Sequence, residues 1–174
     1  LFPPFLGNDE IFHWFRAQQL SSATLFADEL GPNSWGGPIN ASAFMFANET
    51  LLSQPGVPLR TFWVRAAALV PASPEMVVIP FPSTASFPPV AHFPQGFGIA
   101  VSRALDGNLM VQLWAGRLAN LLTYVLVIAA IVRIAPFIAI PVLLVAFFPT
   151  ALQSAASLSA DPMNLTLPAL LTAL

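Results

Sequence analysis

The longest apolar stretch of the chain, from Leu109 to Leu174, constrains the fold more than any other feature. Between Leu118 and Leu152 it contains one charged residue, Arg133, among Leu, Ile, Val, Ala and Phe. An α-helix crosses a bilayer core of about 30 Å with roughly 20 residues, so the stretch is long enough for two crossings. A surface helix of a soluble protein carries polar residues on one face, whereas here apolar residues occur all round. The stretch therefore predicts membrane helices rather than a soluble helix pair.

Pro136 divides this stretch into separate helices. We expect one membrane helix from about Val111 to Ala135 and a second from about Phe137 to Ala156. A third is expected to begin near Met163. The fold class predicted from these features is mainly α, a multi-pass helical membrane protein.

The charged residues divide the chain into two segments. Only 8% of the residues are charged, against roughly 25% in an ordinary soluble domain, and most of them precede Gly107. We therefore expect residues 1–108 to be a first-loop segment outside the membrane. Residues 109–174 are expected to be a transmembrane segment with two full crossings and the start of a third. Because the chain starts with Leu1 and stops within an apolar run, we expect it to be a fragment of a longer protein.

Composition also excludes several kinds of site. The chain contains no cysteine, which excludes disulfides, thiolate metal sites and a cysteine nucleophile within it. All six basic residues are arginines and the net charge is -2, so no basic stripe exists for nucleic acid. Neither DNA nor RNA is expected as a partner, whereas membrane lipid is.

The first segment reads as short helices separated by turns and by irregular, proline-rich chain. Its helices are predicted at Asp9–Ala27, Ala41–Ser53 and Gln95–Leu105. Glycine, proline and asparagine predict a loop over residues 28–39. Leu59–Val70 fits either a short strand or an interfacial helix. The many prolines of residues 71–94 predict extended, irregular chain rather than helix or central strand.

Arg133 suggests which side of the membrane the first segment occupies. It would lie in the turn between the first two crossings, and short cytoplasmic turns are enriched in basic residues. Residues 1–108 and the turn around Asp161 then lie on the outer face. Arg117 would sit near the outer end of the first crossing.

The densest cluster of ionisable residues is Asp9, Glu10, His13 and Arg16. At 100° per residue Asp9, His13 and Arg16 share one face of a helix. A carboxylate there could act as a general base or metal ligand, and an arginine could hold a phosphate through two hydrogen bonds. The alternative is that Asp9 and Glu10 favour the helix start and that His13 is a surface residue.

Arg117 and Asp161 each allow two interpretations. Arg117 could face a phosphate or pair with a carboxylate of the first segment, or it could extend to the lipid headgroups. Asp161 is either the N-cap of the next helix or a second carboxylate of the outer site.

With these residues in view, the chain resembles a bacterial family of multi-pass membrane proteins called domain of unknown function 2142. Three stretches carry the resemblance in the family's order: residues 2–16, 87–105 and 116–161. The family pattern Pro-Pro-Asp-Glu-x-x-His-x-x-Arg matches the spacing of Asp9, Glu10, His13 and Arg16. This chain departs from it where residues 5–8 separate Pro4 from Asp9.

That family in turn resembles large membrane glycosyltransferases that use polyprenyl-phosphate sugars and carry an acidic motif in their first outer loop. The resemblance implies Asp9 as the catalytic base or metal-proximal carboxylate, with Glu10 as a supporting acid. It implies Arg16 and Arg117 as ligands of the lipid phosphate. His13 and Asp161 complete the candidate substrate-binding set.

Two functions follow as expectations, both in the bacterial inner membrane. The first is a glycosyltransferase that uses a polyprenyl-phosphate sugar on the outer face, with the need for a divalent metal left open. The second is a non-enzymatic transporter or assembly partner in envelope polysaccharide export. The transferase reading predicts that Arg16 and Arg117 lie near each other and that a cavity is bounded by Asp9, Arg16 and Arg117.

Overall fold

The structure is a computed structural model that describes Phe5, residues 9–52 and residues 75–174. The strand or interfacial helix predicted at Leu59–Val70 lies outside these residues. The elements of the first segment are α1 (Glu10–Ser21), β1 (Asp28–Gly31), β2 (Ser34–Asn40), α2 (Ala41–Leu52), β3 (Met76–Pro80) and α3 (Pro82–Ala85). They are followed by α4 (Pro89–Ala104), α5 (Leu109–Ile134), a 3-10 turn (Pro136–Ile138), α6 (Ala139–Ala146), α7 (Pro149–Ala155) and α8 (Asp161–Ala173). The predicted mainly α class is confirmed.

The helix α5 matches the first predicted crossing closely. It is 26 residues long and its most apolar window has a mean hydropathy of 1.9. The Asn108 side chain caps its start by accepting a hydrogen bond from the Val111 N–H at 3.0 Å. Of the described helices, α5 is the one unbroken helix long and apolar enough to cross a membrane.

The second predicted crossing, Phe137–Ala156, is wrong as a continuous helix. Its two halves, α6 and α7, are bent by 82° at the break between them. Pro149 causes this break, because a residue that precedes proline is disfavoured in the helical conformation, and Phe148 is extended with ψ 135°. The bent pair is apolar enough to form one broken span or a re-entrant loop.

The predicted loop at residues 28–39 is instead a hairpin. β1 and β2 pair antiparallel, and β3 pairs antiparallel with the other edge of β2. Gly36 allows this pairing, because a Cβ atom there would lie 2.1 Å from the Ile79 carbonyl oxygen. The glycine indicates a close backbone approach, although in the sequence it reads as a turn residue.

The prediction of extended, irregular chain at residues 71–94 agrees with the edge strand β3 but is wrong where α3 and α4 form helix. Pro80 ends the edge strand β3, and Pro82 and Pro89 lie in the first turns of α3 and α4. Proline costs little at these positions, because the first N–H groups of a helix have no partner within it. As a result α4 begins at Pro89 rather than at Gln95, and it contains Pro94.

The helix α1 ends at Ser21, six residues before its predicted end, because Ala23 has the left-handed φ of 61°. α2 is helical through Leu52, and Ser53, the last residue of the predicted helix, lies outside the described residues. α1 packs mainly against α4, and α4 packs along α5. Trp14 from α1, Ile99 from α4 and Leu113 from α5 belong to the same buried cluster. The first segment and the apolar helix α5 therefore share a core.

Candidate functional site

Glu10 and Arg117 form a buried ion pair with two hydrogen bonds. Arg117 Nε donates to Glu10 Oε1 at 2.9 Å and Arg117 Nη2 donates to Glu10 Oε2 at 2.8 Å. The Phe5 and Leu158 N–H groups also donate to this carboxylate, at 3.0 and 3.2 Å. The Trp114 ring lies against the guanidinium, with 5.0 Å between Arg117 Cζ and the ring centroid. Pairing of Arg117 with a carboxylate of the first segment is thus confirmed.

The pair joins three parts of the chain that are far apart in sequence. Glu10 begins α1, Arg117 lies in α5, and Leu158 lies in the turn between α7 and α8. A buried ion pair is favourable only when further hydrogen bonds compensate for the loss of water, and here two backbone N–H groups also donate to the carboxylate. The arrangement holds the start of α1 against α5.

Two amides, Gln95 and Asn120, extend this polar contact, and the sequence did not predict their hydrogen bonds. Gln95 Nε2 donates to Asn120 Oδ1 at 3.0 Å and to the Ser159 carbonyl at 2.8 Å. Asn120 Nδ2 donates to the Ser157 carbonyl at 2.9 Å. An amide residue within an otherwise apolar helix is the one feature of the sequence that could have identified these two residues.

His13 lies in a buried pair with His92. His13 Nδ1 and His92 Nε2 are 2.8 Å apart, and the ring of His13 stacks on Phe87 with centroids 6.0 Å apart. The surface alternative for His13 is therefore wrong, since the side chain is 5% exposed. The sequence did not predict the contact of His13 with His92, because a separation of 79 residues carries no local signal.

Burial lowers the pKa of both histidines. Desolvation lowers the pKa of His13, although the negative charges of Asp161, Asp9 and Glu10 partly oppose this. Desolvation lowers the pKa of His92 further, to well below its usual value, and the neighbouring His13 and Arg16 add to the effect. One ring must then donate and the other accept in the hydrogen bond between them.

Arg16 is 1% exposed, and no carboxylate of the described residues lies within ion-pair distance of it. Its Nη1 donates to Gln19 Oε1, and its Nη2 donates to the Leu25 carbonyl at 2.8 Å. Within the described chain, Arg16 Nε has no hydrogen-bond partner. Desolvation lowers the pKa of Arg16 from its usual range, but guanidinium remains charged in proteins.

Arg16 lines a cavity of about 550 Å³, which we call the Arg16 cavity. Its other walls include the aromatic residues Phe26, Trp35 and Phe87 and the hydroxyl residue Ser86. This volume lies within the range of small-molecule sites, roughly 300–1,000 Å³. The lining includes neither Asp9 nor Arg117, so the cavity differs from the one predicted between all three residues.

Asp9 and Asp161 are exposed at helix starts, yet neither side chain caps its helix. Asp9 occupies the N-cap position of α1 in the left-handed conformation with φ 56°. Asp161 is the first residue of α8, and Ala160 occupies the N-cap position. The N-cap interpretation of Asp161 is therefore wrong. Both carboxylates are near enough to His13 to affect its pKa.

The described residues do not provide a complete set of metal ligands at Asp9. Within Phe5, residues 9–52 and residues 75–174, no group of three His, Cys, Asp or Glu side chains could hold a metal ion. A divalent ion at Asp9 would need further ligands from substrate or from chain outside these residues.

Comparison with known proteins identifies the family of this chain but no individual relative. Neither the curated proteins nor the solved structures contain a match to this chain. The family model described as "Predicted membrane protein (DUF2142)" matches residues 1–174. The chain therefore belongs to the DUF2142 family of predicted membrane proteins.

Proposed function

We propose that this chain is part of a multi-pass glycosyltransferase of the bacterial inner membrane that uses a polyprenyl-phosphate sugar on the outer face. The observation that carries the proposal is the buried Arg16 guanidinium, which has no carboxylate partner among the described residues and lines an aromatic cavity. A buried charge normally has a counterion, because its isolation from water is costly. A ligand anion would supply that counterion.

The geometry of Arg16 suits a phosphate. Gln19 and Leu25 fix two of its nitrogens, so little conformational entropy remains to be lost on binding. The unpartnered Nε is available as a further donor, and guanidinium matches phosphate oxygens through parallel hydrogen bonds. Desolvation lowers the pKa of His92, which lies near Arg16, to well below its usual value, and this disfavours a second positive charge beside the guanidinium.

The second catalytic group is Asp9. It lies seven residues before Arg16, a distance of about 10 Å along a helix, which a glycosyl phosphate and an acceptor hydroxyl together can span. Asp9 would accept the proton of the acceptor hydroxyl as its oxygen bonds to the sugar C1. The bond between C1 and the phosphate oxygen breaks, and Arg16 holds the charge of the leaving phosphate.

In this proposal Glu10 and Arg117 support the site rather than bind substrate. Their charges are already engaged with each other, which leaves Arg16 as the phosphate ligand. The pair instead holds α1 at the outer end of α5, where a lipid phosphate would lie. Asp9 and Asp161 are both near enough to His13 to interact with it electrostatically, and we assign His13 and Asp161 to the acceptor side of the site.

The test uses the full-length protein in membranes with a polyprenyl-phosphate sugar donor. Asp9→Asn should lower transfer by about a hundredfold or more, and Arg16→Gln should weaken donor binding by about tenfold or more. Arg103→Gln is the matched control, because Arg103 also contacts α1, at Gln18 and Ser21, but lies outside the Arg16 cavity. Undiminished transfer by both Asp9→Asn and Arg16→Gln would contradict the proposal.

A second candidate is a transporter or assembly partner that binds the same lipid without making or breaking a bond. The absence of Asp9 from the lining of the Arg16 cavity favours it. If donor binding depends on Arg16 and no acceptor gives a transfer product, the transporter or assembly function is supported over the transferase.

A further inference from the structure

Trp35 presents a large aromatic surface at the Arg16 cavity. It lies in the central strand β2, lines the cavity and is 44% exposed. Phe26, on the segment between α1 and β1, also lines the cavity and is exposed. A cavity that combines a buried cation with open aromatic faces suits a ligand that has an anionic part and a ring.

The position of Trp35 relative to Arg16 is fixed by the strand that carries it. The Phe81 N–H donates to the Trp35 carbonyl at 2.9 Å, which holds the strand to its neighbour. Two residues further on, Gly37 makes room for Gln19, whose Nε2 atom would lie 2.2 Å from a Cβ atom at that position. Gln19 in turn accepts the hydrogen bond from Arg16. The strand, Gln19 and Arg16 therefore form one preorganised unit.

Glu29 adds a hydrogen-bond acceptor beside the aromatic face. It lies directly opposite Trp35 in the antiparallel pairing of β1 and β2, so both side chains project from the same face of the sheet. Its carboxylate is exposed and could accept hydrogen bonds from hydroxyl groups. A negative charge at this place also opposes docking of Trp35 on an anionic lipid surface.

We propose that Trp35 is the binding platform for the sugar ring of the donor, with its phosphate on Arg16. This deepens the proposed function and rests on it. The π face of an aromatic ring carries negative charge density, which attracts the polarised C–H groups on the apolar face of a sugar. Such stacking adds affinity for a glycosylated phosphate over the same phosphate without a sugar.

The test compares two probes, farnesyl phosphate and farnesyl phosphoryl glucose, by calorimetric titration of the full-length protein in detergent micelles. Trp35→Leu removes the ring and should weaken binding of the glycosylated probe by about fivefold, with farnesyl phosphate unchanged. Trp35→Phe keeps a ring and should retain most of the difference. Phe97→Leu, an exposed aromatic residue outside the cavity, is the control and should leave both probes unchanged.

Equal loss for both probes, or no loss for either, on Trp35→Leu would overturn the sugar platform. Arg16→Gln distinguishes this failure from that of the proposed function. If Arg16→Gln weakens the binding of both probes while Trp35→Leu does not change the difference between their affinities, the phosphate site is supported and the sugar platform is wrong. If neither probe binds the unmodified protein, both proposals are wrong.

Discussion

At the scale of single residues, Glu10 and Arg117 set where α1 can lie. Their two hydrogen bonds join residues separated by 107 positions, and two backbone N–H groups complete the carboxylate's partners. Removal of one member of the pair would leave the other buried without the opposite charge it now contacts, which costs more than the pair contributes when intact. The pair therefore specifies the position of α1 against α5.

Glu10→Gln should destabilise the protein by about 3–5 kcal/mol, because Arg117 would remain charged and buried. Thermal unfolding of the full-length protein in detergent would measure the loss. Glu10→Met combined with Arg117→Met should restore most of the stability, since neither charge then remains. Asp9→Asn is the control and should change stability little, because Asp9 is exposed and its side chain does not cap α1. A stable Glu10→Gln variant would contradict the structural role of the pair.

The histidine pair gives stability a pH dependence. Both folded-state pKa values lie below the usual 6.5, so the unfolded chain binds more protons just below that pH. Stability should be complete above about pH 6.5 and should fall as the pH drops below it. His92→Gln, which keeps a hydrogen-bonding group, should flatten this dependence in unfolding temperatures between pH 7.5 and 5.5. An equally steep profile in the variant would assign the dependence to other groups.

The sequence predicts the acidic, histidine and arginine cluster but not the partners of its members. The helical spacing of Asp9, His13 and Arg16 is local information. By contrast, the contacts of Glu10 with Arg117 and of His13 with His92 depend on how distant helices pack. Arg16 and Arg117 look alike in the sequence, yet Arg117 pairs with a carboxylate and Arg16 lines a cavity.

At the scale of elements, close packing of α4 on α5 positions α1 and its side chains relative to the apolar helix α5. A Cβ atom at Gly98 would lie 2.4 Å from the Ala115 carbonyl oxygen, and one at Gly116 would lie 2.8 Å from Leu158. Small residues of this kind let membrane helices approach closely. Because α1 rests on α4, this approach also fixes the distance of α1 from α5.

Gly98→Ala should therefore destabilise the protein. Overpacking should lower the free energy of unfolding by about 1–3 kcal/mol, and the higher helix propensity of alanine should offset roughly 1 kcal/mol of that loss. Gly31→Ala is the matched control, because no described atom lies within 4 Å of its Cβ position. Unfolding temperatures of the two variants in detergent provide the comparison. Equal stability of Gly98→Ala and Gly31→Ala would show that α4 and α5 pack less tightly than described.

Elements with a strong local pattern were predicted well, and elements that depend on partners were not. The apolar run of α5 and the turn residues Asp106–Asn108 before it placed that helix correctly. The hairpin was missed because Gly36 serves a close approach to β3 that only the folded sheet reveals. The break at Pro149 was missed because the apolar composition continues through it.

At the scale of the whole molecule, one buried core joins the polar first segment to the apolar helix α5. Phe46 from α2, Ile99 from α4 and Leu158 from the last turn all belong to it. We therefore expect the first segment to lie at one end of α5 rather than to swing freely from it. We propose that this end faces outward, because Arg133 lies near the other end.

The most direct test of this account is the sidedness of residues at the two ends of α5. The chain has no cysteine, so Asp28→Cys and Phe137→Cys, both at exposed positions, can each report on labelling by a membrane-impermeant maleimide. In intact spheroplasts the account predicts that Asp28→Cys is labelled and that Phe137→Cys is labelled only after permeabilisation. Labelling of both positions from the same side would show that α5 does not cross the membrane, and would contradict the central claim.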